Sequence, residues 1–229
     1  MLEELLHLLG YGLCHQLPER SFFGGGVQLP VCARDTGIYL GFAAALLTLW
    51  VLDRGRRSSE LPPVVTSIVL GLFVVAMGID GLTSYAGIRE TSNELRMLTG
   101  LMTGYALAAF TLPLLNGQLW TRPGATRVLP RGTDAGWYVA SMVLVFALSI
   151  GAGAYLGVAY PILSALTILL TFSVVNAVIV ALLPPFERRA ATIRDTWPVF
   201  AIALVFTVFE LVGAVWLKAW LAAVTGAVA

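Results

Sequence analysis

The chain has 229 residues, 58% of them hydrophobic and only 12% charged, about half the charged share of an ordinary soluble domain. Long apolar runs recur, which excludes a soluble globular domain and predicts a polytopic membrane protein. A formal net charge of +1 gives no electrostatic footing for a nucleic-acid partner.

The opening MLEELLHLLGYGL is too short to cross a bilayer, is acidic, and is followed by no small-residue cleavage site. Leu2, Leu5, Leu6, Leu9 and Leu13 recur at helical spacing, so residues 1–13 read as an amphipathic helix at the interface or packed on a bundle. Residues 17–31 hold Pro18, Gly24, Gly25, Gly26 and Pro30. That density of breakers predicts loop, with neither helix nor strand. Six apolar helices then follow, over about residues 36–52, 63–86, 93–115, 137–156, 161–183 and 197–224. Each matches the thickness of a hydrocarbon core. The expected fold is an all-α transmembrane bundle of six spanning helices with a short amphipathic N-terminal helix. Three parts are expected: 1–13, a core over 14–120, and an extension over 121–229.

The basic residues give an orientation. Arg54, Arg56 and Arg57 follow the first spanning helix, Arg122, Arg127 and Arg131 the third, and Arg188, Arg189 and Arg194 the fifth. These are alternate loops, and the positive-inside rule places them in the cytoplasm. Both termini and the segment Cys14–Gly41 then face outward.

On that outer side polar residues gather. CHQLPERSFFGGGVQLPVCARDTGIYLG, residues 14–41, is dense in side chains that bind metal, move protons or hold anions. GIDGLTSYAGIRETSNELR, residues 78–96, adds Asp80, Arg89, Asn93 and Arg96, and Glu210 and Lys218 lie in the outer half of the last helix. An ionisable group at bilayer depth is costly unless paired, so each marks a site hypothesis. Cys32, Asp35 and Tyr39 share a helical face, as do Arg89, Asn93, Arg96 and Gly100. Gly100 and Gly104 form a small-xxx-small pair that lets another helix approach.

Three chemistries fit these residues. Cys14, His15 and Cys32, with Asp35 or Asp80 as a fourth ligand, suit zinc or copper. An open position on such an ion would activate water, and Asp80 or His15 would serve as general base. Alternatively, Cys14 and Cys32 form a disulfide, closing a loop of about 19 residues for about 3 kcal/mol. Finally, Arg20, Arg34, Arg89 and Arg96, with Asn93 and Tyr39, form an anion site for a phosphate-bearing lipid headgroup, since guanidinium forks match phosphate. Arginines paired with acids or reaching for the interface would serve structure instead. Asn176, alone among aliphatic neighbours, reads as an interhelical hydrogen bond.

The strings CHQ, PERS, CARDTGIYLG, IDG and GIRETSN..R..TG..G resemble an uncharacterised family of prokaryotic integral membrane proteins known only as a domain of unknown function. The resemblance covers roughly residues 10–105. It implies that Cys14, His15, Gln16, Arg20, Cys32, Arg34, Gly37, Tyr39, Gly41, Asp80, Gly81, Arg89, Asn93, Arg96, Thr99 and Gly100 are signature positions. It leaves the reaction open, and with the placement of the basic loops the expected location is the cytoplasmic (inner) membrane of a prokaryote.

The expected function is a membrane protein with an outward-facing polar cavity for an anionic ligand, as a metal-dependent enzyme or a headgroup-binding protein. A non-enzymatic subunit, partnered by other membrane proteins and capped by a disulfide-stapled loop, is the first alternative. A transporter is the second; the absence of inverted repeats and of matching charges on the cytoplasmic side counts against it.

Overall fold

The computed structural model describes residues 1–225. Six of its helices are long and apolar enough to cross a membrane, and the chain is an all-α polytopic bundle.

Helix α1 (Leu2–Tyr11) packs on the last two spanning helices. Its leucine stripe divides in use: Leu6 is buried and Leu9 and Leu13 pack beside Val31, Ile168 and Leu211, whereas Leu2 and Leu5 are exposed. The following segment departs from the expected loop. Pro18–Arg20 form a 3-10 turn, and β1 (Phe23–Gly24) pairs antiparallel with β2 (Val27–Gln28). Gly25 and Gly26 turn this hairpin at φ +58° and +83°. A two-residue hairpin turn with both central φ values positive favours glycine, so the residues that argue against a strand are the ones that close it.

Helix α2 (Ala33–Asp53) begins three residues before the expected start, with Cys32 at its N-cap. After β3 (Ser58–Glu60) come α3 (Val64–Tyr85) and α4 (Asn93–Leu119). The Ser92 hydroxyl caps α4 by accepting the Leu95 N–H at 3.3 Å, satisfying one of its free amide donors. Next are β4 (Gly124–Arg127), α5 (Gly132–Ile150) and the one-turn α6 (Ala152–Leu156). The expected fourth spanning helix is thus broken at Gly151 and starts five residues earlier, at Gly132. Helices α7 (Ala159–Ala181) and α8 (Trp197–Thr225) complete the bundle.

Helix α4 is the axle, with 61% of its apolar window buried against 11% for α3. Its closest neighbour is α2, and the contact is backbone to backbone. A Cβ at Gly100 would strike the Arg34 carbonyl oxygen, and one at Gly104 the Ile38 carbonyl oxygen. Conversely, a Cβ at Gly41 would lie 2.8 Å from the Leu101 carbonyl oxygen, and one at Gly37 would strike that of Met97. The small-residue pair on α4 therefore has a matching pair, Gly37 and Gly41, on α2. Such contacts substitute for a hydrophobic drive, which lipid does not supply between helices.

The two ends of the bundle differ. At one, the three arginine-bearing connections are knitted together. Strands β3 and β4 pair in parallel, Arg57 lies 3.8 Å over the Trp120 ring, Asn116 Nδ2 donates to the Ser58 carbonyl at 2.9 Å, and the Thr121 N–H donates to Ala190 at 3.0 Å. At the other end meet α1, the hairpin, the α3–α4 turn and the C-terminal half of α8.

Candidate functional site

Helix α2 sets out the site at its first turn. Arg34 and Asp35 are neighbours in sequence, so about 100° of helical rotation separates their side chains. Arg34 reaches α3, where its Nη2 meets Asp80 Oδ2 at 2.6 Å. Arg89, from the α3–α4 turn, holds the other oxygen of Asp80 at 2.7 Å, and Thr99 Oγ1 donates to Asp80 Oδ2 at 3.4 Å. The Asp80 side chain is 3% exposed. It is thus a buried carboxylate between two guanidinium groups, fully committed to them.

Asp35 turns away from α3 and accepts from the Cys32 thiol at 3.3 Å. The Cys14 sulfur accepts the Cys32 backbone N–H, also at 3.3 Å. Both thiols are free and partly buried. Hydrogen bonding with Cys32 pulls the Cys14 thiol down to about 7 against the effect of burial. The Cys32 thiol moves the other way: its hydrogen bond with Cys14 raises it first, then burial and the Asp35 charge. The donor atoms of Cys14, Cys32 and Asp35 all lie within 4.8 Å of one another.

Cys14 is held by its neighbours. Its N–H donates to the Gly10 carbonyl at 3.0 Å. Lys218 of α8 donates to the Tyr11 and Cys14 carbonyls at 2.8 and 2.9 Å. Buried Gln16, at φ +54°, donates to the His7 and Pro30 carbonyls at 2.8 Å each. This ties the two cysteine-bearing stretches together.

A cavity of about 490 Å³ opens beside the thiols, walled by Cys14, His15, Gln16, Arg20, Cys32, Arg34, Asp35, Ser84 and Arg96 among others. Arg96 is only 8% exposed. Its guanidinium donates to Asn93 Oδ1 at 3.1 Å and to Ser84 Oγ at 3.4 Å, and it forms no ion pair with any of the described residues. Nε of Arg34 is buried without a hydrogen-bond partner.

Of the sequence-derived candidates, the structure brings Cys14, His15, Arg20, Cys32, Arg34 and Arg96 to one cavity. Others stand outside it or, like His15, outside the thiol cluster. Asp80 is the counter-ion of Arg34 and Arg89, beyond reach of the thiol cluster. His15 is exposed on the cavity wall and is not within the cluster of donor atoms. Arg89 serves Asp80. Asn93 bridges Arg96 to the Glu19 carbonyl, which its Nδ2 meets at 3.2 Å. Tyr39 packs against Phe172 of α7, ring centroids 6.0 Å apart. Glu210 accepts from Asn176 Nδ2 at 2.8 Å, so Asn176 does join α7 to α8, and neither residue lines the cavity. Ser84, as a ligand of Arg96, carries no sequence signal beyond its place four residues after Asp80.

The family described as predicted membrane protein (DUF2085) matches residues 14–110. An uncharacterised protein of Methanocaldococcus jannaschii is 34% identical over 110 residues, covering 48% of this chain and 68% of its own. An uncharacterised protein of Methanothermobacter thermautotrophicus is 38% identical over 99 residues, covering 43% of this chain and 84% of its own. No solved structure matches. Every cavity-wall residue named above lies inside the matched segment, and α5 to α8 lie beyond it.

Proposed function

The chain belongs to this predicted membrane protein family, and from that premise we propose that it is a membrane protein whose outward-facing cavity binds an anionic, phosphate-bearing ligand such as a lipid headgroup. Arg96 carries the reading. A guanidinium within a spanning helix costs a few kcal/mol (about 3) unless neutralised, and the partners of this one, Asn93 and Ser84, are both neutral. Arg20 shares the cavity, and Arg34 keeps an unused Nε. Three guanidinium groups around one space match the geometry of a phosphate, which accepts paired N–H donors. The orientation is supported by the arginine-rich connections at the far end of the bundle, which the positive-inside rule assigns to the cytoplasm.

Native mass spectrometry of delipidated protein with phosphatidic acid and with diacylglycerol isolates the phosphate. Phosphatidic acid binds, diacylglycerol does not, and Arg96→Gln weakens the complex about tenfold or more, as expected for one lost charge-assisted hydrogen bond of about 1.5–3 kcal/mol. Competition by inorganic phosphate at millimolar concentration would point to a free anion rather than a lipid. Equal binding of phosphatidic acid by wild type and Arg96→Gln would sink the proposal.

A further inference from the structure

We propose that Cys14 Sγ, Cys32 Sγ and an Asp35 carboxylate oxygen bind one divalent cation of the zinc type, with a coordination position open to the arginine-lined cavity. The first ground is distance. Two sulfurs on one tetrahedral zinc stand roughly 3.8 Å apart, given Zn–S bonds of about 2.3 Å. The three donors already lie within 4.8 Å of one another, so closing on an ion takes side-chain adjustments of about 1 Å.

The second ground is the chemistry of the set. Two thiolates with a carboxylate suit a borderline cation; magnesium and calcium take oxygen, and cuprous copper prefers sulfur throughout. The third is charge. Asp35 is partly buried, its neighbour Arg34 is spent on Asp80, and the Cys32 thiol is its only hydrogen-bond donor among the described residues. A carboxylate at the top of a spanning helix calls for a cation, and the adjoining thiols define which kind.

The fourth ground is the frame. Cys32 and Asp35 stand three apart at the start of α2, which is locked to α4 through glycine contacts. Cys14 comes from a separately anchored stretch, clamped by Lys218 and tied to Pro30 through Gln16. Donors presented on two rigid pieces are pre-arranged, whereas a mobile loop would spend binding energy on ordering. Of the ligands expected from sequence, Cys14, Cys32 and Asp35 are the ones brought together; Asp80 is held by two arginines and His15 lies outside the cluster. Three protein ligands with one open position is the pattern of a site at which an ion meets a substrate or water. That the open position faces the anionic ligand rests on the function proposed above; the metal site itself does not.

Full-length protein, purified under reducing conditions and stripped with chelator, would be titrated with cobalt(II) and, separately, loaded with zinc and desalted. One ion per chain is expected, with a thiolate-to-cobalt charge-transfer band in the near ultraviolet. Cys14→Ser and Cys32→Ser should each weaken the band and lower affinity at least a hundredfold. Asp35→Asn, the variant least disruptive to folding, should keep a thiolate band and lose at least tenfold in affinity. His15→Ala should retain stoichiometry and spectrum. Arg96→Gln should retain the metal while losing phosphatidic acid, which separates failure of the anion reading from failure of this one. The proposal is overturned by the lack of a thiolate–cobalt band in folded protein, by affinity unchanged in Asp35→Asn, or by thiols that become reactive only after a disulfide is reduced.

Discussion

Arg34 and Asp35 show how much one residue's position on a helix decides. Arg34 faces α3 and neutralises Asp80; Asp35 faces the N-terminal segment and meets Cys32. Asp80 is the buried member of its cluster, and removing its charge strands two guanidinium groups. Breaking a buried ion pair from one side costs about 3–5 kcal/mol. Asp80→Asn should therefore lower stability in detergent by about 3 kcal/mol. Arg89→Gln, at a side chain 47% exposed, should cost about 1 kcal/mol or less. Thermal or denaturant melts of the two variants check the order, and equal losses would contradict this account of the cluster. The sequence marks Asp80, Arg34 and Arg89 as unusual at their depth, but not that they belong to one another. That pairing spans 46 residues between Arg34 and Asp80 and exists only once α2 and α3 are packed.

At the scale of elements, the α2–α4 contact holds the site in place. Its four glycines face backbone atoms, which cannot rotate away as side chains do. Gly104→Val should force the helices apart, costing at least about 1–3 kcal/mol by overpacking, and should reduce metal loading because α2 carries Cys32 and Asp35. Gly71 of α3 faces open space, so Gly71→Ala should leave the melting temperature unchanged or raise it, since alanine is the better helix former. A melting comparison in one detergent tests both. The Gly100–Gly104 spacing is legible in sequence. Its counterpart, Gly37 and Gly41, lies inside the motif-rich stretch, where a glycine reads equally well as a turn or a ligand contact.

Over the whole molecule, the arginine-bearing connections meet at one end and the cysteine cavity opens at the other. With Cys14 and Cys32 replaced by serine, Glu19→Cys should react with a membrane-impermeant maleimide in intact cells. Arg189→Cys should react only after the membrane is opened. The reverse pattern would invert the orientation and place the cavity in the cytoplasm. Helix α8 offers much of its length to lipid, with Trp197, Trp216 and Trp220 exposed, yet Lys218 reaches back to Tyr11 and Cys14. The matched segment thus borrows a clamp from a helix outside it.

The number of spanning helices, the amphipathic start and the segregation of arginines from cysteines can be read from the order of residues alone. These follow from hydropathy and charge acting locally against a bilayer of known thickness. The sequence also singles out the residues able to do chemistry, because polar groups are costly in lipid and stand out against an apolar background. How they divide emerges when the helices pack. Asp80 went to two arginines, Asp35 to the Cys32 thiol, and Arg96 was left with neutral partners facing a cavity. Arg34 and Asp80 stand 46 residues apart, and Lys218 and Tyr11 207; such partners are chosen by which helix faces meet, and hydropathy acts too locally to encode that.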